Sequence, residues 1–212
     1  MTMHAFSRRL LLAGTAALLL PGHHALADGL AVTPAQTEGP FYPAAFPADT
    51  DSDLVQVRGH ATRAMGTVLH LQGRVLDPSG RPLSAARVEI WQCDAQGIYD
   101  HPRQSGRDRR DLAFQGFGRM TVDAAGGYAF RTLVPAPYPG RAPHIHLKVL
   151  AANRNPLTSQ LYIAGDPQNE RDFVYRAAVR DQRQRERIDM HLRPANGIEP
   201  GALAASMDIV VG

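Results

Sequence analysis

The segment PYPGRAPHIHLKVL contains two histidines, His144 and His146, one residue apart at the start of an apolar stretch. Because side chains alternate between the two faces of a β-strand, a strand here projects both imidazoles to the same side. Two imidazoles on one face can chelate a metal ion. Tyr138 and Arg141 lie just upstream, in a loop that the four prolines between residues 135 and 143 make stiff. The spacing therefore predicts an ordered site to which the strand supplies nitrogen donors and the loop supplies a phenol and a cation.

The remaining donors bear on which metal such a site would take. The chain has one cysteine, Cys93, and the motif itself contains no carboxylate. Tyr138 and, farther upstream, Tyr99 are the other candidate ligands, although a phenol with a pKa of about 10 ionises at neutral pH only beside a strong positive charge. Phenolate is a hard anionic donor, so two tyrosines favour a highly charged ion such as Fe(III). A ferrous 2-His-1-carboxylate site, with Asp100 or Asp166 as the carboxylate, is the alternative.

Short apolar runs separated by turn residues indicate that many strands, and few long helices, position these groups. Residues 68–76 alternate between apolar and polar types and stop at the turn sequence DPSGRP. Further strands are predicted at residues 87–93, 114–122, 128–133, 144–150 and 159–163 and at the closing MDIVV. Residues 166–187 are rich in helix formers and predict one helix. The predicted fold class is all-β, an antiparallel β-sandwich core with an N-terminal arm and one helix on the C-terminal side.

Residues 1–27 have the pattern of an export signal. Arg8 and Arg9 precede the apolar run LLLAGTAALLL, and the small-residue site ALA follows it. This order is typical of a cleavable signal peptide, and the paired arginines raise the twin-arginine route. The apolar run is short for a transmembrane span, so no stable membrane anchor is expected. We therefore predict an exported, periplasmic protein with an N-terminal arm at residues 28–66 and a β-sandwich domain at residues 67–212.

Charge and cysteine content narrow the possible partners. The formal charge is +3, and it falls to +1 when the two arginines of the predicted signal are removed. Basic residues alternate with acidic ones, and no dense basic patch with interleaved aromatics is present, so nucleic acid is not an expected partner. With a single cysteine no internal disulfide can form. Cys93 lies in the strand-like run VEIWQC and is expected to be a small buried residue.

Three stretches of the sequence resemble the core of one enzyme family. In chain order they are GRVLDPSGRPLSAARVEIWQCDAQGIYDH, FQGFGRMTVDAAGGYAFRTLVPAPYPGRAPHIHLKV and TSQLYIAGDP. Together they resemble the intradiol ring-cleavage dioxygenases, which are non-haem ferric enzymes that include protocatechuate, catechol and hydroxyquinol dioxygenases. TEGPFYP also resembles the segment before the core in protocatechuate-type members. The first stretch, with the turn DAAGG, also resembles transthyretin-like sandwich modules, so a non-catalytic binding module is the competing interpretation.

The resemblance implies a set of site residues and a reaction. It implies iron ligands at Tyr99, Tyr138, His144 and His146, an active-site arginine at Arg141 and an active-site glutamine at Gln160. A catechol-type substrate is implied to chelate Fe(III) as a dianion, while Tyr138 and a hydroxide leave the metal and accept the substrate protons. Arg141 is implied to stabilise developing negative charge, and Gln160 to position dioxygen. The implied product is a cis,cis-muconate-type diacid, and a homo-oligomer is expected because family members commonly assemble through such sandwiches.

One feature departs from the protocatechuate-type pattern. Only Pro139 and Gly140 separate Tyr138 from Arg141, whereas the catalytic subunits of that type carry a longer loop there. The sequence therefore does not determine the shape of the pocket wall or the identity of the catechol. Further candidates for the pocket lining are Tyr42, His101 and Tyr162.

Overall fold

The computed structural model describes residues 29–179 and 181–212, and the predicted signal at residues 1–27 lies outside this part of the chain. The described residues form ten strands: β1 (Val68–Leu76), β2 (Arg87–Trp91), β3 (Phe117–Thr121), β4 (Gly127–Leu133), β5 (His144–Leu150), β6 (Leu157–Ile163), β7 (Asp189–Met190), β8 (Arg193–Pro194), β9 (Leu203–Ser206) and β10 (Ile209–Val210). They also form two 3₁₀ turns, Arg107–Arg109 and Asn169–Arg171, and two short α-helices, α1 (Phe173–Ala178) and α2 (Gln182–Arg185).

Two five-stranded sheets form the layers of the predicted β-sandwich. In the first sheet β1 pairs antiparallel with β4 and parallel with β9 and β10, and β8 pairs with β9. The second sheet has the order β3-β2-β5-β6-β7, and its only parallel pair among the described strands joins β6 to β7. The all-β sandwich is therefore confirmed. Its longer ladders are antiparallel, and the parallel pairs come from short late strands that return beside earlier ones.

Strand β5 shows how the core fixes the two faces of the second sheet. Ile145 and Leu147 are fully buried in the main hydrophobic cluster, together with Leu69 and Leu71 of β1. Because strand side chains alternate, the residues between them point to the opposite face of the sheet. A shift of one residue in register would exchange the two faces, so burial of the aliphatic side chains specifies where the histidines of β5 project.

The predicted arm covers this opposite face and also contributes to the core. The backbone N–H of Gln36 donates to the Thr158 carbonyl at 2.8 Å, which ties the arm to β6. Leu54 and Val55 are fully buried in the main cluster. A Cβ added to Gly39 would lie 3.5 Å from Cε1 of His146, so the arm touches the histidine face.

The predicted helix at residues 166–187 is divided into shorter pieces. It consists of a 3₁₀ turn followed by α1 and α2. Asp172 accepts hydrogen bonds from the backbone of the first turn of α1, and Asp181 does the same for α2. Each aspartate is a separate N-cap, and an N-cap has non-helical backbone dihedrals, so one continuous helix is interrupted at both positions. No helix of the described residues is long and apolar enough to span a membrane.

Candidate metal centre

Strand β5 presents His144 and His146 on one buried face, with 1% of each residue exposed. Their Nε2 atoms are 3.2 Å apart. Nδ1 of His144 lies 2.7 Å from the carbonyl oxygen of Ala142, so a proton on Nδ1 leaves the electron pair of Nε2 free. Metal–nitrogen bonds to imidazole are about 2.0–2.1 Å long for a metal such as zinc, so two nitrogens at this separation can share one ion.

Burial keeps both imidazoles neutral. Burial, and after it the charge of Arg141, lowers the pKa of His144 to about 4. Burial, followed by His144 and Arg141, lowers the pKa of His146 well below its usual range. Neutral imidazole is the form that binds metals, so the pair is in its ligating state at neutral pH.

Neighbouring strands restrain the ring of His146. Trp91 on β2 and Gln160 on β6 are its cross-strand partners. The Trp91 indole stacks on the imidazole with 4.7 Å between ring centroids and 7° between ring planes. Trp91 is itself 1% exposed and cannot move away without disturbing its own packing. The stack therefore fixes the plane of the His146 ring.

A tight turn places Tyr138 beside Arg141. Pro139 and Gly140 occupy its central positions, Gly140 has a φ of +81°, and the Arg141 N–H donates to the Tyr138 carbonyl at 2.9 Å. Proline followed by a residue with positive φ is the pattern of a type II turn. Nη1 of Arg141 then donates to the Tyr138 hydroxyl at 3.2 Å. The short spacing seen in the sequence thus produces a direct contact between the phenol and the guanidinium group.

A second turn places Tyr99 against Tyr138. The carboxylate of Asp94 accepts two backbone N–H groups within this turn, both at 2.9 Å. A Cβ on Gly97, which has a φ of +78°, would lie 2.9 Å from the carbonyl oxygen of Pro137. A glycine therefore permits the close approach of the two loops. The rings of Tyr99 and Tyr138 consequently lie 5.6 Å apart at an angle of 84°.

These loops and β5 bring together four side chains, which we call the four-donor cluster: Tyr99, Tyr138, His144 and His146. Ring centroids are 5.4 Å apart for Tyr138 and His144 and 6.1 Å apart for Tyr99 and His146. The Tyr99 hydroxyl is buried and makes no hydrogen bond of standard geometry, although the Tyr138 hydroxyl is close enough to affect its ionisation. A buried polar group without a partner costs about 1–3 kcal/mol. A cation held by the cluster would give this oxygen a partner.

The donor set fits a highly charged ion. Burial, and then Cys93 and Tyr138, raises the pKa of Tyr99 well above its usual value. Burial also raises the pKa of Tyr138, although Arg141 opposes it. Both phenols are therefore neutral until a strong positive charge ionises them, and a bound multivalent cation supplies such a charge. Two neutral nitrogens and two ionisable oxygens match Fe(III).

The carboxylates proposed for a ferrous alternative are engaged elsewhere. Asp100 pairs with Arg107 and Arg110 at 2.6 and 3.1 Å. Asp166 accepts the backbone N–H of Gln168 at 2.8 Å in an exposed turn. Within residues 29–179 and 181–212, no cluster of three or more His, Cys, Asp and Glu side chains could share a metal. The tyrosine oxygens are thus the donors that can complete a site around the two histidines.

Comparisons with known proteins show the family of this chain. A family model described as "Dioxygenase" matches residues 37–199. The chain belongs to the intradiol ring-cleavage dioxygenase family. It is 31% identical over 180 residues to the protocatechuate 3,4-dioxygenase beta chain of Burkholderia cepacia, which covers 81% of this chain and 76% of that protein. It is 32% identical to the hydroxyquinol 1,2-dioxygenase of Corynebacterium glutamicum over 65% of this chain, and it spans about half the length of that relative (48%).

Two solved structures have the same fold as this chain. The dioxygenase domain of a dioxygenase carbohydrate-binding protein fusion from Streptomyces sp. SirexAA-E is 30% identical, with a TM-score of 0.65 over 85% of this chain and 98% of that one. An intradiol ring-cleavage dioxygenase from Tetranychus urticae has a TM-score of 0.67 at 21% identity, over 86% of this chain and 95% of that one. The second likeness concerns the fold alone.

Arg141 and Gln160 lie at the edge of the four-donor cluster of this dioxygenase-family chain. Nη2 of Arg141 donates to Oε1 of Gln160 and, at 3.2 Å, to the hydroxyl of Tyr162. Nε2 of Gln160 donates to the Thr37 carbonyl of the arm at 2.9 Å. Tyr162, a pocket candidate in the sequence, donates to Oε1 of Gln160 at 2.9 Å. The arm, β6 and the Tyr138 turn thus meet at one hydrogen-bonded network.

The other candidates have different environments. The Tyr42 hydroxyl donates to Glu89 at 2.8 Å, and its ring packs edge-on against Trp91. Nδ1 of His101 accepts the backbone N–H of Arg103 at 3.1 Å, and its ring lies against Phe41. Neither side chain joins the four-donor cluster.

Cys93 is buried, as predicted, and burial raises its pKa to about 12. Its thiol therefore stays protonated and unreactive at neutral pH.

Among the residues that contact the cluster or its arginine, sequence reasoning missed Trp91 and Asp172. Trp91 is opposite His146 in the β2–β5 ladder. The sequence predicts both strands but does not indicate that they pair, so it gives no signal for this contact. Asp172 precedes the helix-forming run FVYRAA, which is an N-cap signal. Nothing in the local sequence indicates that its carboxylate also reaches Arg141, because that contact spans 31 residues.

A cavity of about 290 Å³ adjoins Tyr99, between the arm and the sandwich. Phe41 from the arm and Trp91 and Phe117 from the second sheet contribute to its walls. Of the four-donor cluster only Tyr99 lines this cavity, and Asp100 and Arg107 add charged groups to its wall. Its volume is that of a site for one small molecule.

Proposed function

We propose that this chain is a non-haem Fe(III) dioxygenase that cleaves a catechol-type ring between its two hydroxylated carbons and yields a cis,cis-muconate-type diacid. The assembly of two neutral imidazoles and two phenols in one cluster is the observation that carries this proposal: the two Nε2 atoms are 3.2 Å apart, and the ring of Tyr138 lies 5.4 Å from that of His144 and 5.6 Å from that of Tyr99. Family membership supports the same reaction class. A passive binding module has no use for such a donor set, which includes a buried hydroxyl without a partner.

The two tyrosines have different parts in the proposed mechanism. When bound, Fe(III) would draw electron density from a chelated catechol dianion and make a ring carbon reactive towards dioxygen. Tyr99 is 3% exposed and packed against Phe41, so it stays in place throughout. Tyr138 is only partly buried on a two-residue turn, so it can swing away as substrate enters. Its oxygen, ionised while a cation is bound, would then accept one catechol proton, and a departing hydroxide would accept the second.

Arg141 and Gln160 would act on the substrate side of the cluster. The guanidinium group contacts the Tyr138 hydroxyl, so it lies next to the position that this oxygen vacates. A fixed positive charge there stabilises negative charge that develops on the ring and costs no reorganisation. The Gln160 amide is held by the arm and by Tyr162, and this restraint would let it orient dioxygen beside the ring.

Oxygen uptake with simple catechols tests the proposal. The full chain would be purified after loading with ferric iron and supplied with catechol, protocatechuate or hydroxyquinol, and the products would be identified by mass spectrometry. We expect a visible tyrosinate-to-iron absorption band, one molecule of dioxygen consumed per ring, and a ring-opened diacid that retains both oxygen atoms. A colourless protein that remains inactive after ferric loading would support the transthyretin-like module instead.

We further propose that the protein is exported to the periplasm, on the pattern of residues 1–27. If the twin-arginine route carries it, changing both Arg8 and Arg9 to lysine blocks export of a tagged full-length chain. Normal export of that variant would exclude this route and leave the general secretory pathway.

A further inference from the structure

The carboxylate of Asp172 is enclosed by hydrogen-bond donors beside the four-donor cluster. Its side chain is 0% exposed. Oδ1 accepts the backbone N–H groups of Val174 and Tyr175 at 2.8 and 3.2 Å and thereby caps α1. Oδ2 accepts Nε of Arg141 and the backbone N–H of Ala142, both at 2.9 Å. A buried charge is tolerated only with such full compensation, so this arrangement is rigid.

Asp172 binds Arg141 through Nε alone, so Nη1 and Nη2 remain available to the site. Asp172 binds Nε, whereas Nη1 and Nη2 point to Tyr138, Gln160 and Tyr162. An arginine side chain has several rotatable bonds, and ordering it costs conformational entropy. An anchor at Nε restricts most of those bonds and aims the planar end of the group.

The contact to Ala142 extends the same anchor to the histidines. The Ala142 N–H donates to Asp172, and the Ala142 carbonyl oxygen lies 2.7 Å from Nδ1 of His144. That hydrogen bond sets the tautomer and the ring orientation of a metal-binding imidazole. One carboxylate oxygen therefore fixes both the arginine and the residue that orients the first histidine.

We propose that Asp172 is a positioning residue that holds Arg141 and the start of β5 in the geometry needed for ring cleavage, and that α1 is the rigid element on which this anchor is mounted. The inference rests on the proposed function and deepens it. Asp172 does not touch the reacting atoms, and it acts through Arg141 and Ala142.

The variant Asp172→Asn separates the anchor from the helix cap. Asparagine is as good an N-cap as aspartate, so the carbonyl oxygen of the amide can still accept from α1. Its NH₂ group then faces Nε of Arg141 and the N–H of Ala142. All three groups are hydrogen-bond donors, so none of these hydrogen bonds can form. Loss of such an outer contact lowers activity by roughly 10- to 100-fold. We expect this loss in kcat, while the anaerobic affinity for the same catechol, measured from the visible band, changes far less.

Asp181→Asn is the matched control, because Asp181 caps α2 through the Gln184 N–H at 2.9 Å in an exposed position. It makes the same chemical change at a helix cap that has no contact with Arg141, and its kcat should stay within about twofold of the wild type.

A double-variant cycle distinguishes positioning from a purely structural role. In an Arg141→Met background, adding Asp172→Asn should lower kcat by less than about threefold, because most of its route to the substrate is already gone. Losses that multiply fully across the two sites would overturn the inference. So would an Asp172→Asn enzyme with wild-type kcat.

Stability measurements keep the inference testable in two further cases. If Asp172→Asn does not fold, Asp172→Ser replaces it, because serine caps α1 through its hydroxyl oxygen and its single O–H can rotate away from Arg141. If neither variant folds, the carboxylate serves the fold and the positioning role is overturned. If the wild type cleaves no catechol, the proposed function has failed, and the anchor is then judged on melting temperatures of the metal-free proteins. There, non-additive shifts for Asp172→Asn and Arg141→Met support the anchor, and additive shifts overturn it.

Discussion

Replacing Tyr99 with phenylalanine separates metal binding from packing. The residue is 3% exposed, and its ring stacks on Phe41 with centroids 4.4 Å apart. Phenylalanine keeps that stack and removes only the buried hydroxyl, which has no hydrogen-bond partner. Such a group costs about 1–3 kcal/mol. The Tyr138 hydroxyl, which influences this group without a hydrogen bond of standard geometry, offsets part of that cost, so the metal-free variant should be about 1 kcal/mol more stable than the metal-free wild type. The same change removes an oxygen donor and should abolish most of the visible band and much of the bound iron.

Tyr138→Phe is the matched comparison, and its effect on the metal-free protein has the opposite sign. The Tyr138 hydroxyl accepts from Nη1 of Arg141 at 3.2 Å. Its removal leaves a partly buried guanidinium donor unpaired, which should lower the free energy of unfolding by about 0.5–1.5 kcal/mol. Both variants should lose iron-dependent absorbance. The two substitutions therefore have the same effect on metal binding and opposite effects on the stability of the metal-free protein.

Urea denaturation of the metal-free proteins measures the first effect, and ferric titration followed by absorbance and metal analysis measures the second. Destabilisation of Tyr99→Phe by more than about 1 kcal/mol would show that its hydroxyl has a structural partner. Iron spectra identical to those of the wild type would show that Tyr99 is not a ligand. Either result refutes the reasoning that links the orphan hydroxyl to a bound cation.

Two further predictions concern the surroundings of the site. Hydrogen bonds from Arg131 at 2.8 and 2.9 Å lower the pKa of Glu199 from about 4.5 to about 2. The carboxylate thus stabilises the fold above pH 4.5 and loses this effect as pH falls towards 2. Glu199→Gln should lower the free energy of unfolding by about 1–2 kcal/mol at pH 6, after allowance for solvent screening. Unfolding of both proteins measured at decreasing pH should show this difference vanishing near pH 2. A difference that stays constant with pH contradicts the assignment. Gly39 has a φ of +72°, and a Cβ there would already touch His146, so Gly39→Val should lower the free energy of unfolding by about 1–3 kcal/mol, more than Gly39→Ala does; equal urea midpoints for the two would exclude the contact with the ring.

Local patterns sufficed to predict the strands that matter most for the site. β1 and β5 have the predicted limits, because alternation in a half-buried strand is a strong signal and turn sequences bound both. The late helix was predicted as one element but is broken at Asp172 and Asp181, whose cap role competes with helix continuation. Strands β7, β8 and β9 were not predicted. β7 and β8 have only two residues each, and β7 and β9 pair with β6 and β1, which are distant in sequence.

The candidate site divides in the same way. The two histidines share a face because they are two residues apart, and Tyr138 meets Arg141 because Pro139 and Gly140 form a turn. These contacts are local and follow from the sequence. The pairing of Tyr99 with Tyr138 spans 39 positions. Donor chemistry made Tyr99 a candidate ligand, and the family resemblance assigned it to the same site as Tyr138. Its physical basis is long-range: a glycine at position 97 lets one turn approach the Pro137 carbonyl.

The anchor at Asp172 shows why such a site needs the whole fold. Each oxygen of the carboxylate binds a different part of the chain. Oδ1 caps the first turn of α1, and Oδ2 holds Arg141 and Ala142 just before β5. The aliphatic residues of β5 fix the face on which the histidines lie, but they do not restrain the loop before it. A buried charge with four donors does restrain it, because any displacement of Arg141 leaves part of that charge unpaired. The precision of the donor cluster therefore depends on two separate effects, hydrophobic register along β5 and electrostatic restraint at its entrance, and Asp172→Asn removes only the second.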